Sequence, residues 1–307
     1  MVRTRTFARR RAGALVAATA AALALTGTAA PASALPPGPR GPLKPAEAPL
    51  PAEAAEAAPP AGPPLSAGPL LPAGPADPAG AVAASESAAL LSLTVALPRG
   101  HDVSSHQEGV DWRAARVRGA RFVYVKATES TDYHSPDFSG QYTGARKAGL
   151  IRGAYHFARP DRSSGARQAA YFVRHGGDWR PDGWTLPPAL DIEYNPYSKK
   201  HKCYGLNRER MVRWIRSFSD ETKRETGRRP VIYTTTQWWK QCTGNSRAFS
   251  SSHALWIARH GTSRPGPLPG GWRYWTFWQY GIKGALPGDQ NLFNGSLARL
   301  RIFARGR

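Results

Sequence analysis

The first third of this 307-residue chain has almost no aromatic side chains: Phe7 is the only one before position 99, whereas all ten Trp fall between Trp112 and Trp278. A segment with so little to bury has nothing from which to build a core. A folded domain is therefore expected only over 99–307, where about 200 residues suffice for one sizeable core. That part also lacks several catalytic signatures. No Gly-x-Gly-x-x-Gly or Walker-type loop follows its first expected strand, which removes support for nucleotide binding. The eight His contain no His-Glu-x-x-His spacing, so a zinc hydrolase is not indicated, and no metal is expected. No Gly-x-Ser-x-Gly elbow is present either.

Acidic residues are scarce, 21 Asp and Glu against 42 Lys and Arg, and nearly all of the imbalance lies in the aromatic-rich part, with 35 bases and 16 acids from position 99 onward. Such a field draws polyanions to the surface without choosing among nucleic acid, anionic lipid and anionic cell-wall polymer. Long apolar runs are also missing. The 14 residues Ala12 to Leu25 fall short of the roughly 20 needed to cross a bilayer. Together with Arg3, Arg5 and Arg9 to Arg11 before them and Ala32-Ser33-Ala34 after, they read as a signal peptide over 1–34. The consecutive Arg residues also permit twin-arginine export. Residues 35–98 are Pro, Ala and Gly with scattered Glu, a disordered linker or propeptide by composition. Cysteine is limited to Cys203 and Cys242. An exported chain favours their pairing as a disulfide; metal binding is the rival, without a Cys-x-x-Cys or paired-His spacing to accompany it.

Within 99–307, short β-like runs occur around Val103 and over 122–126, 153–157, 189–193, 231–234, 255–258 and 276–280, with helical patterns over 112–118, 138–148 and 206–226. Strand and helix alternation argues for a parallel α/β architecture. The later segments leave little room for helices, so an irregular TIM-like barrel with missing or shortened helices fits better than a complete ring.

The most informative stretch is Ala189-Leu190-Asp191-Ile192-Glu193. On a strand, Asp191 and Glu193 project to one side while Leu190 and Ile192 pack on the other. Two buried carboxylates side by side raise at least one pKa, as a general acid requires near neutral pH. The plain alternative is an edge strand with solvated acids, or acids paired with some of the many Arg. Asp102, in the first expected strand, and Asp289, after the last strong β run, add two more carboxylates at strand ends, where a barrel assembles its site. Trp238, Trp239, Trp275, Trp278, Tyr233 and Tyr280 offer flat faces suited to a pyranose ring, although most must serve the core.

The segments Gly100-His101-Asp102-Val103-Ser104, Val125-Lys126-Ala127-Thr128-Glu129, Gly153 to Pro160, Leu190 to Glu193, Ile232-Tyr233-Thr234 and Phe277-Trp278-Gln279-Tyr280 resemble, in order, the motifs of glycoside hydrolase family 25, the secreted bacterial and phage lysozymes. The resemblance implies a flattened β/α barrel that cleaves the β-1,4 bond between N-acetylmuramic acid and N-acetylglucosamine, without metal or organic cofactor. It implies Glu193 as proton donor, Asp191 as the group that orients the substrate's own N-acetyl group, and Asp102 and Asp289 as supporting acids. Lys126, Tyr155, Tyr233 and Trp278 are expected to line the groove. Cys203 and Cys242 also match the bridge of a secreted bacterial branch. The chain departs from the family near Ser105-His106, at Gln141-Tyr142 and at Arg259-His260.

The expected partners are peptidoglycan glycan strands and anionic wall polymers, with no nucleic acid and no stable membrane insertion, for a secreted monomer acting at or beyond the cell wall. Two rivals make different demands. A non-catalytic wall-binding module would bind without turnover, and a basic protein acting on membranes or nucleic acid would lose affinity with salt and ignore the carboxylates.

Overall fold

Strand β1 (Arg99–Val103) runs parallel to β2 (Ala120–Glu129), and the parallel order continues through β4 (Ile151–Phe157), β5 (Ala189–Asp191), β6 (Val231–Thr235), β7 (Leu255–Ala258) and β8 (Phe277–Gly281). The last strand, β9 (Asp289–Phe293), is antiparallel to both β8 and β1 and closes the ring; β3 (Tyr133–His134) is a short hairpin partner of β2 outside it. This computed structural model describes residues 97–306, so the expected signal peptide, and the linker apart from Leu97 and Pro98, lie outside the described residues.

Strand alternation divides the core in two. Inward side chains including Phe122, Tyr124, Tyr233, Trp256, Phe277 and Phe293 fill the barrel with stacked and edge-on rings. Outward ones such as Val123, Val125, Leu190, Ile192, Ile232 and Ile257 pack beneath the helices. The aromatic filling needs missing Cβ atoms on facing strands. A Cβ at Gly100 would collide with the Phe122 ring, and one at Gly153 with Tyr124.

The helices are α1 (Trp112–Val117), α2 (Phe138–Lys147), α3 (Gly165–Phe172), α4 (Arg208–Thr226), α5 (Thr236–Thr243) and α6 (Leu297–Ala304). Among the described residues no helix intervenes between β7 and β8 or between β8 and β9, as the shortage of residues there predicts. Helix α4 is the long one at 19 residues. Asn207 caps its start by accepting from the Arg210 N–H, and Gly227 ends it in the left-handed region at φ 74°. Its buried face, Met211, Trp214, Ile215 and Phe218, covers the outer core. Helices α3, α5 and α6, eight residues each, have no counterpart among the expected elements. Among the described residues no helix is long and apolar enough to cross a membrane.

Two local features differ from expectation. Strand β5 ends at Asp191, so Glu193 lies just beyond it, although Ile192 still donates its N–H to the Tyr233 carbonyl and keeps the segment extended. Strand β9 was not expected as a strand, because Asn291 interrupts its apolar alternation at a position that proves to be buried. Cys203 and Cys242 form a disulfide with Cα atoms 5.4 Å apart, tying the loop after β5 to α5 across 39 positions. Closing a loop of that size stabilises the fold by about 4 kcal/mol on the chain-entropy model.

Candidate active site

The antiparallel β9 brings its first residue to the end of the barrel where the parallel strands finish. Asp289 pairs with Asp102 in the β1–β9 register. Gly288, at φ 70°, makes the turn that allows this, since a Cβ there would strike the Asp102 carbonyl. His101 fixes the same turn by donating from Nδ1 to the Pro287 carbonyl at 2.6 Å; burial pushes its pKa down to about 4, so the ring is neutral at working pH. Gln279 then bridges the acids, its Nε2 donating to Asp102 Oδ2 at 3.0 Å and to Asp289 Oδ2 at 3.1 Å. Its Oε1 accepts from the Tyr233 hydroxyl at 2.9 Å and lies 2.8 Å from His260 Nε2, contacts that settle which end of the amide faces the acids. Asn291 Nδ2 adds a 2.6 Å bond to Asp102 Oδ2 and is itself oriented by Trp256 Nε1, 2.7 Å from its Oδ1.

Asp191 and Glu193 complete a group of four interacting carboxylates. Burial is the main cause that raises every one of them. Glu193 is pushed up to about 7, with Lys126 opposing and Asp102 adding to the rise. Asp289 reaches about 8 through burial and the charges of Asp102 and Glu193. Asp102 stops at about 6, because Gln279 and Asn291 bond to its ionised form. Asp191 goes well above the ordinary carboxylate range through burial and then Glu193, and only Lys126 opposes the rise. Its Oδ1 is buried with no hydrogen-bond partner. Four such groups exchange protons as one cluster.

Lys126 is held by a second network at the end of β2. Its Nζ donates to Glu129 Oε2 at 2.9 Å. Glu129 Oε1 accepts from the Tyr197 hydroxyl at 2.5 Å and lies 3.6 Å from Arg159 Nη1. Arg159 lies over the Tyr197 ring, 4.0 Å from its centroid, and bonds Asp161.

The structure therefore gathers Asp102, Asp191, Glu193, Asp289, Lys126 and Tyr233. Tyr155 packs edge-on against Trp256, 6.4 Å between ring centroids, one strand from Asp191. Trp278 is not brought to the cluster: it lies on the outer face of β8, 7% exposed, with Nε1 donating to the Arg259 carbonyl. The alternation that separates Trp278 from Gln279 was legible, but the aromatic ring drew attention to the wrong face of the strand. Gln279, Asn291 and Glu129 are the residues that sequence reasoning missed. Asn291 had a signal, lying two positions after Asp289 and so on the same side of a strand. Gln141, at one of the departures from the family pattern, holds the loop after β1 by donating to the Ser104 and Gln107 carbonyls.

Gln279→Met is expected to leave Asp289 Oδ2 and the buried Tyr233 hydroxyl without this partner, while Asn291 still serves Asp102, and to cost about 1–3 kcal/mol. Urea unfolding at neutral pH measures this, and an unchanged midpoint would remove Gln279 from the role of bridge.

Comparison with known proteins bears on the same residues. The model of glycosyl hydrolases family 25 matches residues 101–289, from beside the first acid to the last. The chain belongs to this family. It is 47% identical over 224 residues to an N,O-diacetylmuramidase of Arthroderma benhamiae, covering 73% of this chain and 94% of the relative. It is 46% identical over 211 residues to lysozyme M1 of Streptomyces globisporus, covering 67% of this chain and 71% of the relative. The solved structure of a muramidase from Acremonium alcalophilum superposes with a TM-score of 0.67 at 54% identity, covering 68% of this chain and all of that one. A family 25 member is a glycoside hydrolase, and this barrel offers such chemistry buried acids at strand ends, one of them half-buried and poised near neutral pH. Among the described residues no three His, Cys, Asp or Glu side chains group so as to hold a metal ion.

Proposed function

We propose that the protein is a secreted lysozyme that hydrolyses the β-1,4 bond between N-acetylmuramic acid and N-acetylglucosamine in peptidoglycan. The observation that carries this is Glu193, half-buried, with its pKa raised to about 7 beside three further acids on a family 25 barrel. At neutral pH much of Glu193 keeps its proton and can deliver it to the bridging oxygen as the glycosidic bond breaks. Asp191 orients the substrate's own N-acetyl group, whose carbonyl attacks the anomeric carbon; water then opens that intermediate. This route is substrate-assisted, so the distance between two carboxylates does not report the stereochemical outcome. Asp102 and Asp289, fixed on Gln279, shape the field in which positive charge develops at the sugar ring. Lys126 and Tyr155 line the groove, and Tyr233 anchors Gln279. Trp278 is left out of this assignment because its ring is on the outer face.

Residues 1–34 would export the chain and 35–98 would act as spacer or propeptide ahead of the hydrolase. No cofactor enters the scheme. The strong positive charge adsorbs the monomer to an anionic wall.

Mass spectrometry of fragments from purified peptidoglycan tests the reading. Muramic acid at the new reducing ends is expected. Glucosamine there would reassign the bond, and binding without any new ends would make the protein a non-catalytic wall-binding module. The pH profile has a stated sign. Glu193 must be protonated, so kcat is expected to fall as pH rises through about 7.

A further inference from the structure

The segment that follows Glu193 contains no acid until Glu209, and it carries Lys199, Lys200 and Lys202 within four positions, all exposed. None of the three is paired with an acid among the described residues. The loop is nevertheless fixed in place. The Asn195 N–H donates to the Lys202 carbonyl at 3.1 Å, and Asn195 Nδ2 donates to the His201 carbonyl at 3.3 Å, closing the turn that holds the lysines. The Tyr197 hydroxyl bonds Glu129, the residue that holds Lys126, and the Cys203–Cys242 bridge ties the far end of the loop to α5. Three charged stems thus stand on an ordered backbone in the loop that follows Glu193 and is tied through Tyr197 to Glu129. Charge of one sign on an ordered frame adds affinity, because little of the loop's freedom is lost when a ligand binds.

The geometry points to a site for an anionic phosphodiester polymer carried on the glycan next to the bond to be cut, an inference that rests on the muramidase reading above. The three ammoniums are exposed point charges, Lys202 Nζ lying 6.0 Å from the Tyr194 ring centroid, with no buried cradle around them, which suits a repeating diffuse charge better than a single small anion. The wider surface agrees, since from position 226 to the C-terminus the sole acid is Asp289, which is committed to the site. A polymer attached to the glycan arrives with the substrate. The lysines would then hold the strand against the barrel while Glu193 acts, lowering KM and leaving kcat unaltered.

The test is the triple variant Lys199→Gln, Lys200→Gln, Lys202→Gln in the exported full chain. It is assayed on intact walls bearing a phosphodiester polymer and on the same walls stripped of that polymer by hydrofluoric acid. At low salt the variant is expected to show a KM about tenfold higher on intact walls, with kcat unchanged and a weaker dependence on salt. On stripped walls variant and parent are expected to match. Equal KM on intact walls overturns the inference. So does an equal loss on both substrates, which assigns the lysines to the glycan or to stem-peptide carboxylates. A parent that cleaves neither wall defeats the muramidase reading instead; in that case co-sedimentation with intact and stripped walls still reports whether the lysines recognise the polymer.

Discussion

Glu193→Gln is expected to fold like the parent and to lose at least about 10²-fold in kcat for release of reducing sugar from purified peptidoglycan, because positioned proton transfer contributes about 10²- to 10⁴-fold. The amide fills the same space and has no proton to give. Glu193 is half-buried and lies just outside β5, so the substitution disturbs neither the strand ladder nor the aromatic filling of the barrel. KM is expected to change little, since the lost interaction is made only as the bond breaks. A Tm at pH 7 no lower than the parent's confirms that the fold is intact, since Glu193 too is held above its unfolded pKa and the amide removes that cost. A folded variant that turns over at the parental rate would remove Glu193 from the role of acid and take the proposed function with it.

Asp191→Asn is expected to be inactive and more stable, a combination that ordinary damage to a core does not produce. In the folded chain Asp191 is held well above the ordinary carboxylate range by burial and then by Glu193, and its Oδ1 has no hydrogen-bond partner. The folded state therefore keeps a proton that the unfolded chain releases. Where the folded state binds more protons, stability falls as pH rises, so Asp191 weakens the fold from the normal carboxylate range upward. The amide removes that slope. A rise in Tm of about 3 °C or more at pH 7 is expected, vanishing near pH 3 where both states of the parent are protonated. Activity is expected to fall by about 10²-fold or more, because the amide cannot ionise to balance the positive charge that develops on the N-acetyl group as it attacks. Reduced stability at pH 7 would show instead that Asp191 is held by favourable contacts as a structural acid. Burial of charge at the expense of stability is a mark of a working site.

Much of this arrangement was legible in the sequence, for reasons that differ between residues. The seven expected strands all occur, because apolar and β-branched residues at alternate positions leave few other ways to bury them. The two-residue period put Asp191 and Glu193 on one side of a strand, and it took the further acids Asp102 and Asp289 and the family resemblance to favour a site over solvated or Arg-paired acids. Gln279 and Asn291 were missed. A neutral amide in a strand reads as a polar interruption, and only the closed ring reveals that each one faces a carboxylate from a distant strand. The network around Glu129 was hidden for a similar reason. Tyr197 reaches it across 68 positions from a loop whose sequence carries no strand or helix signal.

The antiparallel final strand has a consequence for how the molecule is made. Asn291 meets Asp102 across 189 positions, so one half of the four-acid cluster is synthesised well before the other. A nascent or prematurely stopped product ending before β9 would lack Asp289 and Asn291 alike. On the proposed mechanism, competence to cut would coincide with docking of β9, and a producing cell would not meet an active fragment before the barrel closes.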